Sequence, residues 1–181
     1  RADRMGDYMA GNTRIVIETE LGNIEAEIFE NQAPITAANF LRYVDGGFYR
    51  NGRFYRTVEP NNQPNSPIRI EVIQGGINPE REHERFDPIP LERTSVTGLS
   101  HTDGTLSMSR FAPDSAHSEF FICIGDQPSL DYGGMRNPDG QGFAAFGRVI
   151  RGMDVVRAIQ QSPHEGQRLT PPIIIRDIRR T

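Results

Sequence analysis

GTLSMSRFAPDSAHSEFFICIG, residues 104–125, sets two short apolar runs on either side of a polar loop. Leu106-Ser107-Met108 and Phe120-Phe121-Ile122-Cys123-Ile124 read as strands, being short, apolar and bounded by turn residues. Between them Ala112-Pro113-Asp114-Ser115-Ala116-His117-Ser118 supplies Pro, Asp and Ser, which bend and solvate a connection. Successive strand residues face opposite ways, so Phe120 and Phe121 are predicted on opposite faces of one strand. One of them belongs to the core, and the other is free to line a pocket.

On the N-terminal side, Ile15, Ile17 and Thr19 alternate along one segment and Ile24, Ala26 and Ile28 along the next. Glu20-Leu21-Gly22-Asn23 between them makes a turn, and the pair is a hairpin. Ala37, Phe40, Leu41 and Val44 follow at helical spacing, with Pro34 and Thr36 at the start and Gly46-Gly47 at the end, which predicts a helix over 34–45. Arg53 to Val58 and Ile68 to Gln74 read as strands, separated by the proline-rich polar excursion 59–67, with Gly75-Gly76 ending the second run. Residues 77–95 are charged and irregular. Beyond the central stretch lie a Gly, Asn and Asp loop over 128–142, a strand over 143–149, a short helix over 153–160 stopped by Pro163, and a final strand over 173–178. Residues 1–13 read as a flexible tail, and 14–181 as one domain. About eight short strands with a helix near each end, and no βαβ alternation, describe a mainly β fold whose antiparallel sheet closes on itself.

A formal charge of −4, with the 20 basic residues scattered along the chain, argues against nucleic acid or an anionic membrane surface as partner. No apolar run approaches the ~20 residues that cross a bilayer. The single cysteine, Cys123, sits inside an apolar run, which predicts structural burial and leaves neither an intramolecular disulfide nor a cysteine-based zinc site. His83, His101, His117 and His164 lack metal-ligand spacing and read as surface or loop residues. Asn137-Pro138-Asp139-Gly140 is better read as a tight turn than as a calcium loop, because Met135 occupies the first ligand position and no Glu closes the loop. There is no GxSxG elbow, and Gly75-Gly76 lacks the Lys and Ser/Thr of a phosphate loop. These patterns call for neither a metal nor a cofactor. The chain begins at Arg1 and makes no demand for disulfides; the expectation is an exported, periplasmic protein that has lost its signal, with the cytoplasm as the alternative, acting as a monomer.

Seven motifs in order resemble the cyclophilins, the peptidyl-prolyl cis/trans isomerases, over about residues 14–178: Ala33-Pro34 with Asn39-Phe40, Gly47-Phe48-Tyr49, Phe54-Tyr55-Arg56, Gln74-Gly75-Gly76, Leu106-Ser107-Met108, Ser118-Glu119-Phe120-Phe121-Ile122, and Phe146-Gly147-Arg148-Val149 with Gly152-Met153. The resemblance implies a closed eight-stranded antiparallel β-barrel capped by two α-helices. It further implies that Arg56 is the catalytic arginine, that Gln74 hydrogen-bonds the substrate backbone, and that Phe121 floors a proline pocket walled by Leu130. Ser109 and Arg110 take the places of an Ala-Asn pair whose backbone meets the peptide, and Val72, Met108, Ser129 and Phe143 complete the expected binding set. Several positions depart from the family pattern: Glu71 and Val72 replace Phe-Met, Ser129 replaces a tryptophan, and Phe143 replaces a pocket histidine, while the segments 59–67 and 132–142 are longer than in compact members. The expected activity is isomerisation of Xaa-Pro bonds in proline-containing peptides and in unfolded or partly folded proteins, assisting folding. The departures motivate an alternative, a proline-peptide-binding module or chaperone of the same fold with little turnover.

Overall fold

The last strand does more than its sequence suggests, because it hydrogen-bonds to strands from both ends of the sheet and closes it. The computed structural model describes residues 12–181. Along the chain run β1 (Thr13–Thr19), β2 (Gly22–Ile28), α1 (Pro34–Asp45), β3 (Gly52–Val58), β4 (Val72–Gly76), the single turn α2 (Thr94–Thr97), β5 (Thr105–Met108), β6 (Phe120–Cys123), β7 (Ala145–Arg151), α3 (Met153–Gln160), the two-residue β8 (His164–Glu165) and β9 (Arg168–Arg180). Neighbours in the sheet run β1-β2-β7-β5-β6-β4-β3-β9, and β9 pairs again with β1. Eight antiparallel strands therefore form a closed barrel, with β8 added beside β9. Closure pairs each of the eight barrel strands on both sides, and among the described residues only the two-residue β8 keeps an open edge.

Alternation fills the interior. Ile15, Ile17, Ile24, Ala26, Ile28, Phe54, Leu106 and Phe120 are wholly buried in one cluster. Phe40 of α1 enters it from one end, its ring centroid 4.9 Å from Phe146 and 5.6 Å from Phe120. The start of α1 is satisfied from a distance: the Glu92 carboxylate accepts from the Ile35 and Thr36 amides, replacing the N-cap side chain that Ala33 lacks. Its buried face also takes in Tyr43, whose hydroxyl accepts from the Phe86 amide at 2.9 Å.

The strand expected over 143–149 lies at Ala145–Arg151, and four further boundaries move for a visible reason. Residues 1–11 of the expected tail lie outside the described residues, but Thr13 already belongs to β1, paired with Ile28, and the Asn12 amide donates to Glu27. Ile68–Glu71 do not extend β4, since the Ile70 amide donates to the Gln63 side chain at 3.0 Å instead of to a strand. Gly75 and Gly76 continue β4 instead of ending it: a Cβ on Gly75 would lie 2.8 Å from the Phe54 ring, so glycine is what lets the strands pack this closely. Finally, β9 begins at Arg168 because Pro171-Pro172, which look like a break, fall where the β3–β9 register slips between Phe54 and Arg56 and no ladder bond is required of them.

Phe120 and Phe121 point to opposite sides as predicted. Phe120 joins the barrel core, and Phe121 joins a second cluster outside it with Val58, Ile70, Val72, Cys123 and Leu130. Phe120→Ala is therefore expected to cost roughly 3 to 5 kcal/mol of stability in urea unfolding, whereas Phe121→Ala unfolds at a midpoint closer to the parent protein; the reverse order would overturn the assignment of the faces. Cys123 is completely buried and burial pushes its thiol pKa up, so iodoacetamide at about pH 8 should leave the native protein unlabelled and label it only in denaturant.

Candidate active site

Outside the barrel, over β3, β4 and β6, lies an open cleft of about 500 Å³ with Phe121 in its floor and Val72, Ile70, Leu130 and Phe143 around it. The Phe143 ring stands edge-on to Phe121, centroids 5.6 Å apart at 87°. A flat ring framed by aliphatic walls is a seat for a compact apolar group.

Arg56 and Gln74 are directly paired across β3 and β4, where the register slips at Tyr55 and turns consecutive residues toward the same opening. The Arg56 Nη1 donates to Gln74 Oε1 at 2.8 Å, and Nε donates to Gln167 Oε1 at 3.0 Å. Gln167 is itself held, its amide donating to the Asn62 carbonyl at 3.1 Å. Gln74 Nε2 donates to the Tyr55 hydroxyl at 2.9 Å, which donates to Glu119 Oε1 at 3.2 Å, and Ser118 Oγ donates to Glu119 Oε2 at 2.8 Å. The polarity of this chain is forced from both ends, because a guanidinium only donates and a carboxylate only accepts. Burial depresses the Arg56 pKa, and burial followed by the nearby Glu119 charge raises that of Tyr55, so the tyrosine stays protonated and able to donate.

Beneath Phe121 lies a polar trio of which His101 and Ser107 are buried and Asp131 is partly exposed. His101 is almost fully buried, stacked on the Phe121 ring at 14° with centroids 6.0 Å apart, and its ring nitrogens meet Asp131 Oδ1 at 2.7 Å and Ser107 Oγ at 2.8 Å. His101 lies in a loop, as one of the two expected settings has it, but not at the surface: both ring nitrogens find partners inside, which removes the cost of burying them. The trio has the membership of a hydrolase triad, but Ser107 is 0% exposed and no substrate carbonyl reaches it. It props the cleft floor.

Of the residues expected at the site, Arg56, Val72, Gln74, Ser109, Arg110, Phe121, Leu130 and Phe143 line the cleft. Met108 does not: it pairs with Phe120 and faces the barrel core. Ser129 is also absent from the lining, and its carbonyl accepts the Arg136 amide at 3.2 Å with Gly134 packed against it, so it anchors the loop over 131–142. Glu71 reaches away from the cleft to Gln160, at 3.0 Å. The Ser109 amide is already committed to the Glu119 carbonyl, and the Arg110 side chain is a strut: it holds Asp139 at 2.9 and 3.0 Å and stacks 4.8 Å above Phe143. The turn over 137–140 thus braces the cleft wall through Asp139. Tyr55, Glu119, Arg136 and Gln167 were not anticipated. Among the described residues no group of three or more His, Cys, Asp or Glu side chains is placed to hold a metal ion, and no helix is long and apolar enough to cross a membrane.

Comparison with known proteins agrees with this geometry. The profile of the family described as Cyclophilin type peptidyl-prolyl cis-trans isomerase/CLD matches residues 14–180. A peptidyl-prolyl cis-trans isomerase of Acinetobacter baylyi is 40% identical over 157 residues, covering 86% of this chain and 76% of the relative. Peptidyl-prolyl cis-trans isomerase B of Escherichia coli is 34% identical over 147 residues, covering 81% of this chain and 83% of the relative. In structure, a cyclophilin type isomerase of Cryptosporidium parvum superposes with a TM-score of 0.71 at 23% identity, over 94% of this chain and 98% of that one, which speaks to the fold. A barrel closed by β9, an arginine held at the edge of an aromatic-floored cleft, and a family match over nearly the whole described chain lead to one conclusion: this chain belongs to the cyclophilin-type peptidyl-prolyl cis-trans isomerases.

Proposed function

We propose that Arg56 is the catalytic group and that the Phe121 cleft seats the proline of an Xaa-Pro bond in peptides and incompletely folded proteins. The observation that carries this reading is the grip on Arg56. Two of its N–H groups are committed to glutamine oxygens, Gln167 and Gln74, and the remaining three of a guanidinium's five stay available. Gln74 likewise keeps a second amide hydrogen and a second carbonyl lone pair for the substrate backbone.

Twisting a peptide bond costs about 18 to 20 kcal/mol because amide resonance is lost. At proline the two planar forms are nearly balanced, so catalysis needs only a lower barrier. In the planar amide the prolyl nitrogen lone pair is delocalised and accepts poorly. As the bond twists, the nitrogen pyramidalises and its lone pair becomes an acceptor. A donor fixed beside it then binds the twisted state more strongly than either planar one, which is the condition for raising the rate. Lowering the barrier to about 13 kcal/mol corresponds to a rate on the order of 10³ per second. The step transfers no proton and forms no covalent intermediate.

The prolyl ring takes its place on Phe121 by burial, so Phe121→Ala should raise KM for a short Xaa-Pro peptide by about tenfold or more, the value of one large apolar contact. A folded Phe121→Ala variant with unchanged KM would remove the ring from this seat. Gln167→Leu leaves the half-buried Arg56 Nε without its acceptor and should lower kcat about tenfold while KM stays within about twofold; full activity in that variant would show that Arg56 does not depend on the second glutamine. The resemblance also bears on cyclosporin, which many cyclophilins bind in this groove with help from an indole at the position of Ser129. The chain has no tryptophan, and Ser129 turns its carbonyl to the loop over 131–142. A loss of at least ~2 kcal/mol, about thirtyfold, relative to a tryptophan-bearing homologue is expected when the drug is titrated into the isomerase assay, and nanomolar inhibition would contradict it.

A further inference from the structure

The cleft carries positive charge that rotation of the prolyl bond does not use. Arg136, from the long loop over 131–142, lines it together with Arg56. Its Nη1 is pinned by three neutral oxygens: Gln63 Oε1 at 2.8 Å, Ser66 Oγ at 3.0 Å and the Ile68 carbonyl at 2.7 Å. Among the described residues Nε and Nη2 make no hydrogen bond, and no carboxylate pairs with Arg136 or with Arg56. The nearby acids are engaged elsewhere. Asp139 is held by Arg110, and Asp131 by His101. Glu119 accepts from two hydroxyls and is separated from Arg56 by Tyr55 and Gln74. Burial, and then the charge of Arg56, depress the Arg136 pKa, so the two guanidiniums act on each other without a counter-ion.

A partly buried charge held rigid and unpaired costs free energy until a partner arrives. Here the partner that fits is a carboxylate, because the one free edge of the planar guanidinium, Nε with Nη2, matches its geometry and pinning Nη1 has already removed much of the rotamer freedom. The cationic side of the cleft is local, since the whole chain carries a formal charge of −4. We propose that Arg136 is a specificity residue that selects Xaa-Pro bonds bearing an Asp or Glu side chain one or two residues from the proline. The proposal rests on the reading of the Phe121 cleft as the proline seat.

The test is a peptide panel in the isomerase assay, with Glu, Gln or Lys immediately before the proline, immediately after it, or two residues after it. At one of these positions kcat/KM for the Glu peptide should exceed that for its Gln isostere by about tenfold, with Lys lower still. The ratio should shrink as NaCl rises from about 0.05 to about 0.5 M, as it must for a contact partly open to solvent. Arg136→Gln should bring the Glu to Gln ratio to within about twofold of one, Arg136→Lys should keep part of it, and Arg50→Gln, which removes a charge from an exposed arginine paired with Asp177, should leave it unchanged. A wild-type ratio near one at all three positions, or a tenfold ratio that survives Arg136→Gln, overturns the proposal. Should Arg136→Gln fail to fold, the wild-type ratio and its salt dependence still decide. Brisk isomerisation of every peptide alike refutes acid selection alone, whereas failure to isomerise any of the peptides, the Glu ones included, refutes the reading of the cleft itself.

Discussion

Everything in this molecule hangs on β9 being hydrogen-bonded on both sides, to β1 and to β3. An eight-stranded barrel of this kind is just wide enough for side chains to fill, so closure obliges alternate residues of every strand to point inward and meet. It also leaves no room inside for a ligand, which puts the chemistry on the outer surface. The wrapped sheet is not regular throughout, and β3 slips in register against both neighbours between Phe54 and Arg56. That irregularity is where Arg56 is turned toward Gln74 on one side and the β8–β9 turn, with Gln167, on the other.

The two phenylalanines of β6 divide the labour. Phe120 is surrounded by Phe40, Tyr49 and Phe54 within the barrel, and Phe121 lies outside over His101 and beside Phe143. A strand one residue thick therefore separates the packed core from the cleft floor, and neither can shift without the other. The charged end of the site is built differently, from neutral amides and hydroxyls between Arg56 and Glu119. A carboxylate in direct contact would occupy the guanidinium's donors; one placed two groups away orients the chain and leaves donors free.

How much of this was legible in the sequence depends on the range of the interactions. The β1–β2 hairpin and α1 follow from periodicity alone, and the opposite faces of Phe120 and Phe121 from strand alternation, because these are local rules. Alternation also held the answer for Met108, which shares a face with Leu106 and so belongs to the core; reading the family motif alone placed it in the cleft. Gln167 left no such trace, since it lies 111 residues from Arg56 in sequence and meets it only through closure of the barrel. Arg136, Glu119 and Tyr55 are likewise ordinary polar residues until the fold aligns them. The Pro171-Pro172 pair hid half of β9, because a proline's missing donor is harmless at a bulge and the sequence does not mark where the bulge falls.

The central claim is that Arg56 acts on the twisted bond and not on the bound peptide. Nuclear magnetic resonance exchange during titration of one Xaa-Pro peptide reads affinity and cis/trans exchange from the same sample. For Arg56→Lys, which keeps the charge and loses the planar fork, the account predicts a Kd within about threefold of the parent and an exchange rate lower by about a hundredfold, roughly 2.7 kcal/mol of barrier. Affinity and exchange falling together, or exchange left unchanged, would contradict it.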